Sequence, residues 1–277
     1  MKGSLTLLAI VLLALCTRAA TVDTISVYSN SMKKEIRTVV VRPGNYKKMA
    51  PVPVVYLLHG WSGNYAQWIS IAPQLARTSD DMQVMIVCPD GGYDSWYFDS
   101  PVDSTVRYET FISKELIRYI DTHYKTIPEK AFRAISGLSM GGHGAMYLGI
   151  RNKEVFGNAG AMSGGMDIRP FPNNWGLKQQ LGDSTCCWQN WERNTVINVA
   201  DQLKNHDLNL IFDCGVDDFF FKVNREMHKK LLEKKIDHDY AERPGAHNKA
   251  YWSNAVDYQM VFFKKQFNKA FAEKKKQ

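Results

Sequence analysis

Gly137-Leu138-Ser139-Met140-Gly141 constrains this chain more than any other stretch. It fits G-x-S-x-G, a pattern that lifts a serine hydroxyl clear of the backbone on a sharp strand-to-helix turn. The serine of such a turn is strained. The glycines two before and two after it let neighbouring chain pass without a Cβ clash. The flanks suit the turn. Ala131-Phe132-Arg133-Ala134-Ile135 reads as a short strand entering it, and Gly142 to Ile150, with Ala145, Met146, Leu148 and Ile150, reads as a small-residue helix leaving it. Ser139 is the candidate nucleophile.

A serine hydroxyl attacks poorly until a neighbouring imidazole takes its proton. A carboxylate then fixes the imidazole's tautomer and stabilises the imidazolium that forms. Where the serine rides on this kind of turn, the partners follow in the order acid, then histidine. Leu208-Asn209-Leu210-Ile211-Phe212 is fit for a buried strand, and Asp213-Cys214-Gly215-Val216-Asp217-Asp218 carries an acid just beyond it. Asp217 and Asp218 are adjacent; the spacing from Gly215 favours Asp218 and leaves Asp217 as a loop cap or a substrate-side charge. Pro244-Gly245-Ala246-His247 then supplies a loop histidine ahead of a helical segment. Of the seven histidines, His59 is expected to shape a turn and His143 to point away from the serine. His123, His206, His228 and His238 stand in polar or helical contexts that suit solvated or packing residues.

Acyl transfer also needs two backbone N–H groups aimed at the developing oxyanion. One follows the nucleophile, here Met140. The other comes from the loop after an early strand. Pro53-Val54-Val55-Tyr56-Leu57-Leu58 is such a strand and runs into His59-Gly60-Trp61-Ser62-Gly63, which points to the amide of Trp61.

With these residues in place the chain resembles the esterase D-like branch of the α/β-hydrolases, which includes tributyrin-type, feruloyl and acetyl esterases, S-formylglutathione hydrolases and mycolyltransferases. The likeness runs from about Ser26 to Phe271. It rests on Leu57-Leu58-His59-Gly60, Ser95-Trp96-Tyr97 with Asp99-Ser100, Tyr108-Glu109-Thr110, Gly137 to Gly142, Cys214-Gly215-x-x-Asp218-Phe219, and Gly245-x-His247 followed by Tyr251-Trp252. The resemblance implies Ser139, Asp218 and His247 as a triad, with the amides of Trp61 and Met140 as the oxyanion hole, and no cofactor or metal. Relatives often carry an aromatic residue two after the histidine, where this chain has Lys249; that departure bears on acyl or alcohol preference.

Apolar and helical runs alternate in the way the resemblance requires. Strands are expected near Thr24–Tyr28, Glu35–Val41, Val52–Leu58, Gln83–Cys88, Gly157–Met162 and His238–Glu242, besides those flanking the elbow and the acid. Helices are expected over Tyr108–Tyr124, around Asn224–Lys234 and from about Tyr251. The first of these places Ile112, Leu116, Tyr119, Ile120 and His123 on one face. Early hairpin strands followed by β-α alternation predict an α/β fold, a mostly parallel central sheet with helices on both faces. The 277 residues and 45% hydrophobic content suit one enzyme domain.

Lys2 and the apolar run Leu5 to Cys16, too short to span a bilayer, read as a signal peptide over 1–19 with a cleavage site at Thr17-Arg18-Ala19. The bulky Leu15 argues against lipoprotein processing at Cys16. The domain then occupies 20–277, in an exported protein, secreted or periplasmic, without stable membrane insertion. The formal charge of +7 falls to +5 without Lys2 and Arg18. The rest sits in the Lys274-Lys275-Lys276 tail and on Lys-rich helix faces, so no nucleic-acid partner is expected. Cys88 and Cys214 end strands as buried small side chains. Cys186 and Cys187 lie in a Trp-rich segment and could bridge elsewhere, with a connectivity that sequence cannot give.

Residues 164–199 fit the alternation poorly, with Phe171, Trp175, Trp188 and Trp191 among Pro, Asn and Gly. They read either as an aromatic lid over the site or as a satellite hydrophobic cluster under a long loop. Trp96 and Tyr97, on the loop after an early strand, are expected to contact substrate, as is Trp252. The expected activity is hydrolysis of acyl esters, with acetyl or feruloyl esters of carbohydrates, or short-chain esters, as substrates. The rival activities are acyl transfer to a sugar and S-formylglutathione hydrolase-like thioester cleavage. A non-catalytic binding protein is disfavoured because it would have no use for all three triad groups.

Overall fold

Buried parallel strands read as unbroken apolar runs because helices cover both of their faces. Val54-Val55-Tyr56-Leu57-Leu58 is such a run, and every one of its residues is buried. The computed structural model describes residues 19–276; the expected signal segment lies outside them, apart from Ala19. Eight strands form one sheet: β1 (Thr21–Ser29), β2 (Lys34–Arg42), β3 (Val54–Leu58), β4 (Met85–Pro89), β5 (Arg133–Gly137), β6 (Asn158–Met162), β7 (Asn209–Gly215) and β8 (Asp239–Arg243). Their order is β1-β2-β4-β3-β5-β6-β7-β8. β1 pairs antiparallel with β2, and β2 antiparallel with β4. From β4 onward every pairing is parallel. The carboxyl ends of β3, β5, β6, β7 and β8 therefore open on one edge of the sheet, where α/β folds gather their functional loops.

The helices are α1 (Gln67–Ile71), α2 (Leu75–Met82), α3 (Tyr108–Thr110), α4 (Ile117–His123), α5 (Met140–Arg151), α6 (Leu177–Leu181), α7 (Trp188–Asn194), α8 (Val196–Val199), α9 (Phe221–Glu233) and α10 (Lys249–Lys274). Side chains alternate across the strands. Val40, Val54, Tyr56, Leu58, Val87 and Ile135 face a core closed by Ile112, Leu116, Met146, Ile150, Met227 and Leu231. Val39, Val41, Val55, Leu57, Ile86 and Ala134 face a second core closed by Trp68, Leu75, Val256, Met260, Phe263 and Phe267. Each fully buried aliphatic or aromatic side chain contributes about 1.5–3 kcal/mol of transfer free energy.

The expected elements are present with shifted ends. The helix expected over Tyr108–Tyr124 runs as α3, a π-helical stretch Phe111–Leu116 and α4. α9 begins at Phe221, before the expected Asn224, because Asp218 turns the chain ahead of it. α10 begins at Lys249, where the Asn248 side chain accepts from the Tyr251 N–H at 3.0 Å as an N-cap. Residues 164–199 contain three short helices, and their Leu177, Leu181, Trp191 and Val196 join the first core. No helix among the described residues is long and apolar enough to cross a membrane.

Candidate active site

The elbow follows from two missing side chains. A Cβ on Gly137 would lie 2.4 Å from the Gly141 carbonyl oxygen, and one on Gly141 would lie 2.3 Å from that of Leu58. With both absent, β5 turns into α5 against the end of β3. Ser139 takes φ 54° and ψ −118°, a conformation that side-chain-bearing residues rarely adopt. The Ser139 N–H donates to the Met162 carbonyl at 3.0 Å, which holds the strained residue in place.

Ser139, His247 and Asp218 meet above the sheet. His247 Nε2 lies 2.8 Å from Ser139 Oγ, and His247 Nδ1 lies 2.8 Å from Asp218 Oδ2. The Asp218 side chain is fully buried, and that of His247 is 15% exposed. An ionised carboxylate only accepts, so the Nδ1 proton faces Asp218 and the Nε2 lone pair faces the serine hydroxyl. The Phe220 N–H donates to Asp218 Oδ1 at 2.8 Å, so both carboxylate oxygens are occupied. Asp217, by contrast, is exposed, and its own N–H donates to the Gly245 carbonyl at 3.0 Å. Of the two adjacent aspartates, Asp218 is the one brought to the histidine.

The acid and histidine loops are clasped backbone to backbone. The Val216 N–H donates to Arg243 O at 2.9 Å, beside the Asp217–Gly245 bond. Gly215 packs so closely on Gly245 that a Cβ there would lie 2.3 Å from the Gly245 oxygen. Below the clasp lies Asp213, wholly buried at the end of β7. It accepts from Tyr251 Oη at 2.8 Å and Gln259 Nε2 at 3.0 Å, with Arg243 at 3.4 Å. Burial pushes its pKa up to about 6, against the opposing pull of Gln259, Arg243 and Tyr251.

Gly60 abuts the elbow; a Cβ there would lie 3.4 Å from the Ser139 Cβ. Trp61 is the next residue along this loop. Among the described residues, neither the Trp61 nor the Met140 N–H donates to a backbone carbonyl or side chain, while Gly60, Ser62, Gly63 and Gly141 all do. His59 shapes this loop, as expected: its Nδ1 lies 2.8 Å from Gly60 O, and Gly91 N donates to its Nε2 at 2.7 Å. His143 is buried among Trp96, Phe98 and Tyr147. Desolvation lowers its pKa to about 4, so it is neutral at pH 7. Among the described residues no group of three or more His, Cys, Asp or Glu could hold a metal ion.

All three expected substrate contacts are corrected. Trp96 is 1% exposed and Tyr97 fully buried. Both take left-handed backbone conformations, with φ 51° and 62°, which turn their rings inward. Trp96 Nε1 donates to Trp175 O and Tyr97 Oη to His59 O, each at 3.0 Å. Trp252 is 9% exposed and sets its ring edge-on to His247 at 4.9 Å, so it buttresses the imidazole rather than opening to the cleft. The exposed aromatics lie elsewhere. Phe219, half exposed, lies 4.1 Å from the His247 ring and stacks on Trp175 at 5.3 Å. Trp61 packs against the exposed Tyr93 at 5.1 Å. The available signal was adjacency: Phe219 follows the acid, and the Trp61 ring follows its own amide.

Residues 29–262 match the family described as "Putative esterase". The chain belongs to this esterase family. It is 26% identical over 253 residues to an acetyl esterase of Caldicellulosiruptor saccharolyticus, covering 84% of this chain and 94% of that one. An esterase of Mycobacterium tuberculosis is 27% identical over 75% of this chain, which spans about half (51%) of that protein's length. A solved ferulic acid esterase superposes with a TM-score of 0.77 at 26% identity, over 90% of this chain and 99% of that one. The esterase is thus a carboxylic ester hydrolase on the α/β-hydrolase fold.

Proposed function

We propose that this esterase is an exported serine carboxylesterase that removes acetyl or feruloyl groups from carbohydrate esters through Ser139, His247 and Asp218. The observation that carries the mechanism is the unbroken hydrogen-bonded path from Asp218 through His247 to Ser139. Ser139 Oγ attacks the ester carbonyl while His247 Nε2 takes its proton. The oxyanion forms between the free N–H groups of Trp61 and Met140; loss of one such donor typically costs about 2.7–4 kcal/mol. His247 returns the proton to the leaving alcohol, an acyl-Ser139 ester remains, and water attacks it by the same route. The substrate class draws support from the acetyl esterase relative and the ferulic acid esterase neighbour. The exposed rings of Trp61, Tyr93 and Phe219 offer flat surfaces to a sugar face or an aromatic acyl group. Export rests on the sequence of residues 1–19 alone, and N-terminal sequencing of the protein recovered outside the cytoplasm tests it.

Kinetics on acetylated, feruloylated and short aliphatic esters test the substrate. Phosphonate labelling tests the nucleophile: the label should fall on Ser139, and Ser139→Ala should fold, resist labelling and lose turnover. Near-wild-type turnover by Ser139→Ala would refute the mechanism.

A further inference from the structure

We propose that Cys186 and Cys187 form a reversible disulfide with each other, making the turn between α6 and α7 a redox-modified site. Their sulfurs are 3.0 Å apart. Cys186 is exposed and Cys187 half-buried, so both are open to a small reagent. The turn that presents them is built firmly. Asp183 Oδ1 accepts from the Thr185 N–H at 2.9 Å and its hydroxyl at 2.8 Å, and the Asp183 carbonyl accepts from Cys187 N at 2.8 Å. Lys178 Nζ pairs with Asp183 Oδ2 at 2.6 Å. Cys187 then leads into α7, packed so closely on Gly182 that a Cβ there would lie 2.8 Å from its sulfur.

The other described cysteines offer no alternative partner. Cys88 on β4 and Cys214 on β7 are buried. Four strand spacings separate them in the sheet order, roughly 19 Å, and neither reaches the surface turn. The chemistry balances with a low-molecular-weight disulfide as oxidant. One cysteine thiolate attacks it, forming a mixed disulfide and releasing one thiolate. The neighbouring thiolate attacks the protein-bound sulfur and releases the second. Two protein thiols lose two electrons and two protons, and the oxidant becomes two thiols. Adjacent Cα atoms are about 3.8 Å apart, closer than the roughly 4.4–6.8 Å of ordinary disulfides. The ring is therefore strained, and an excess of monothiol should reopen it. Neither sulfur belongs to the Ser139 site, so the site stands whether or not the esterase mechanism does.

The full-length protein is equilibrated in glutathione buffers of increasing disulfide fraction, quenched in acid, alkylated with iodoacetamide and digested with trypsin. The peptide 179–193 carries both cysteines. In oxidising buffer it should appear lighter by two hydrogens and unalkylated. In excess glutathione it should take two alkyl groups, and the native reduced protein should bind phenylarsine oxide. Cys186→Ser should abolish the light peptide and leave Cys187 carrying one glutathione. Two free thiols in the most oxidising buffer, two glutathione caps, a bond to any other cysteine, or a pair that resists excess glutathione would overturn the proposal.

Discussion

Asp218 and Asp217 differ by one position in sequence and by everything in environment. Asp218 is sequestered, accepts from the Phe220 N–H and lies 2.8 Å from His247; Asp217 is in solvent. Asp218→Asn should lower kcat by about 10⁴-fold, because an amide favours the wrong imidazole tautomer. Asp217→Asn should stay within about threefold of wild type, since its side chain is exposed and makes no hydrogen bond among the described residues, while its backbone bond to Gly245 is kept. Comparable losses in the two variants would misplace the acid. The tryptophans give a second contrast. Trp96 is in the core, so Trp96→Ala should cost about 3–5 kcal/mol of stability and depress turnover of large and small esters alike. Trp61→Ala keeps its amide and removes only an exposed ring. It should weaken kcat/KM for a feruloylated oligosaccharide roughly tenfold, as loss of an aromatic contact of about 1–1.5 kcal/mol implies, and leave p-nitrophenyl acetate nearly unchanged. Thermal melting with kinetics on both esters separates the two tryptophans. The meeting of Ser139 with His247, the place of Gly60 and the order of the three candidate residues were legible because each obeys a local steric or chemical rule. The direction of the Trp96 ring was not, since it depends on two successive left-handed residues and on the core beneath them.

The acid and histidine sit on separate loops, and their alignment is a property of the elements that carry those loops. β7 and β8 run parallel, with Gly215 opposite Arg243, so the two loops leave the sheet side by side. The backbone bonds from Val216 and Asp217 then lock them together. Gly215→Ala would place a Cβ 2.3 Å from the Gly245 oxygen. The loops must part, and a misplacement of about 1 Å in such a constellation costs on the order of 10²-fold in rate. The expected result is a fall in kcat with KM little changed, because the exposed cleft residues remain. A variant with wild-type kcat would show that the clasp does not set the geometry. In sequence, the acid strand and the histidine loop were both visible, but nothing local in either announced that Gly215 and Gly245 touch. The segment 164–199 shows the same limit. Its Phe and Trp content left open either a lid over the site or a satellite hydrophobic cluster, while its three short helices and the placement of Trp175 against Phe219 came from contacts with distant elements.

Across the whole molecule, Asp213 joins β7 to α10 through Gln259 and Tyr251, and Arg243 at the end of β8 lies close by. Its pKa is raised from 3.8 to about 6 by burial. The folded state therefore binds this proton more tightly than the unfolded chain. The resulting stabilisation is full below about pH 4 and is lost as pH rises through about 6. His143, lowered to about 4 by burial, acts in the opposite sense, since the unfolded chain binds its proton first as pH falls through the ordinary range. The difference between wild type and Asp213→Asn isolates the aspartate. Denaturant unfolding at pH 7 and pH 5 should show wild type gaining on the variant by on the order of 1–2 kcal/mol at the lower pH; a constant difference would refute the linkage. By itself the sequence determined the strand and helix alternation and the elbow, and supplied the candidate nucleophile, acid and base in their order, with two candidate oxyanion amides. Each of these depends on residue types a few positions apart, where backbone sterics and side-chain chemistry act directly. The spacing from Gly215 already favoured Asp218 as the partner of His247; tertiary structure alone decided that Trp96 and Tyr97 are core residues, that Trp61, Tyr93 and Phe219 present their rings to solvent, and that Cys186 has only Cys187 within reach among the described cysteines. Those outcomes depend on which loops the sheet order brings together at one edge, and that order is set by the simultaneous burial of both faces of eight strands.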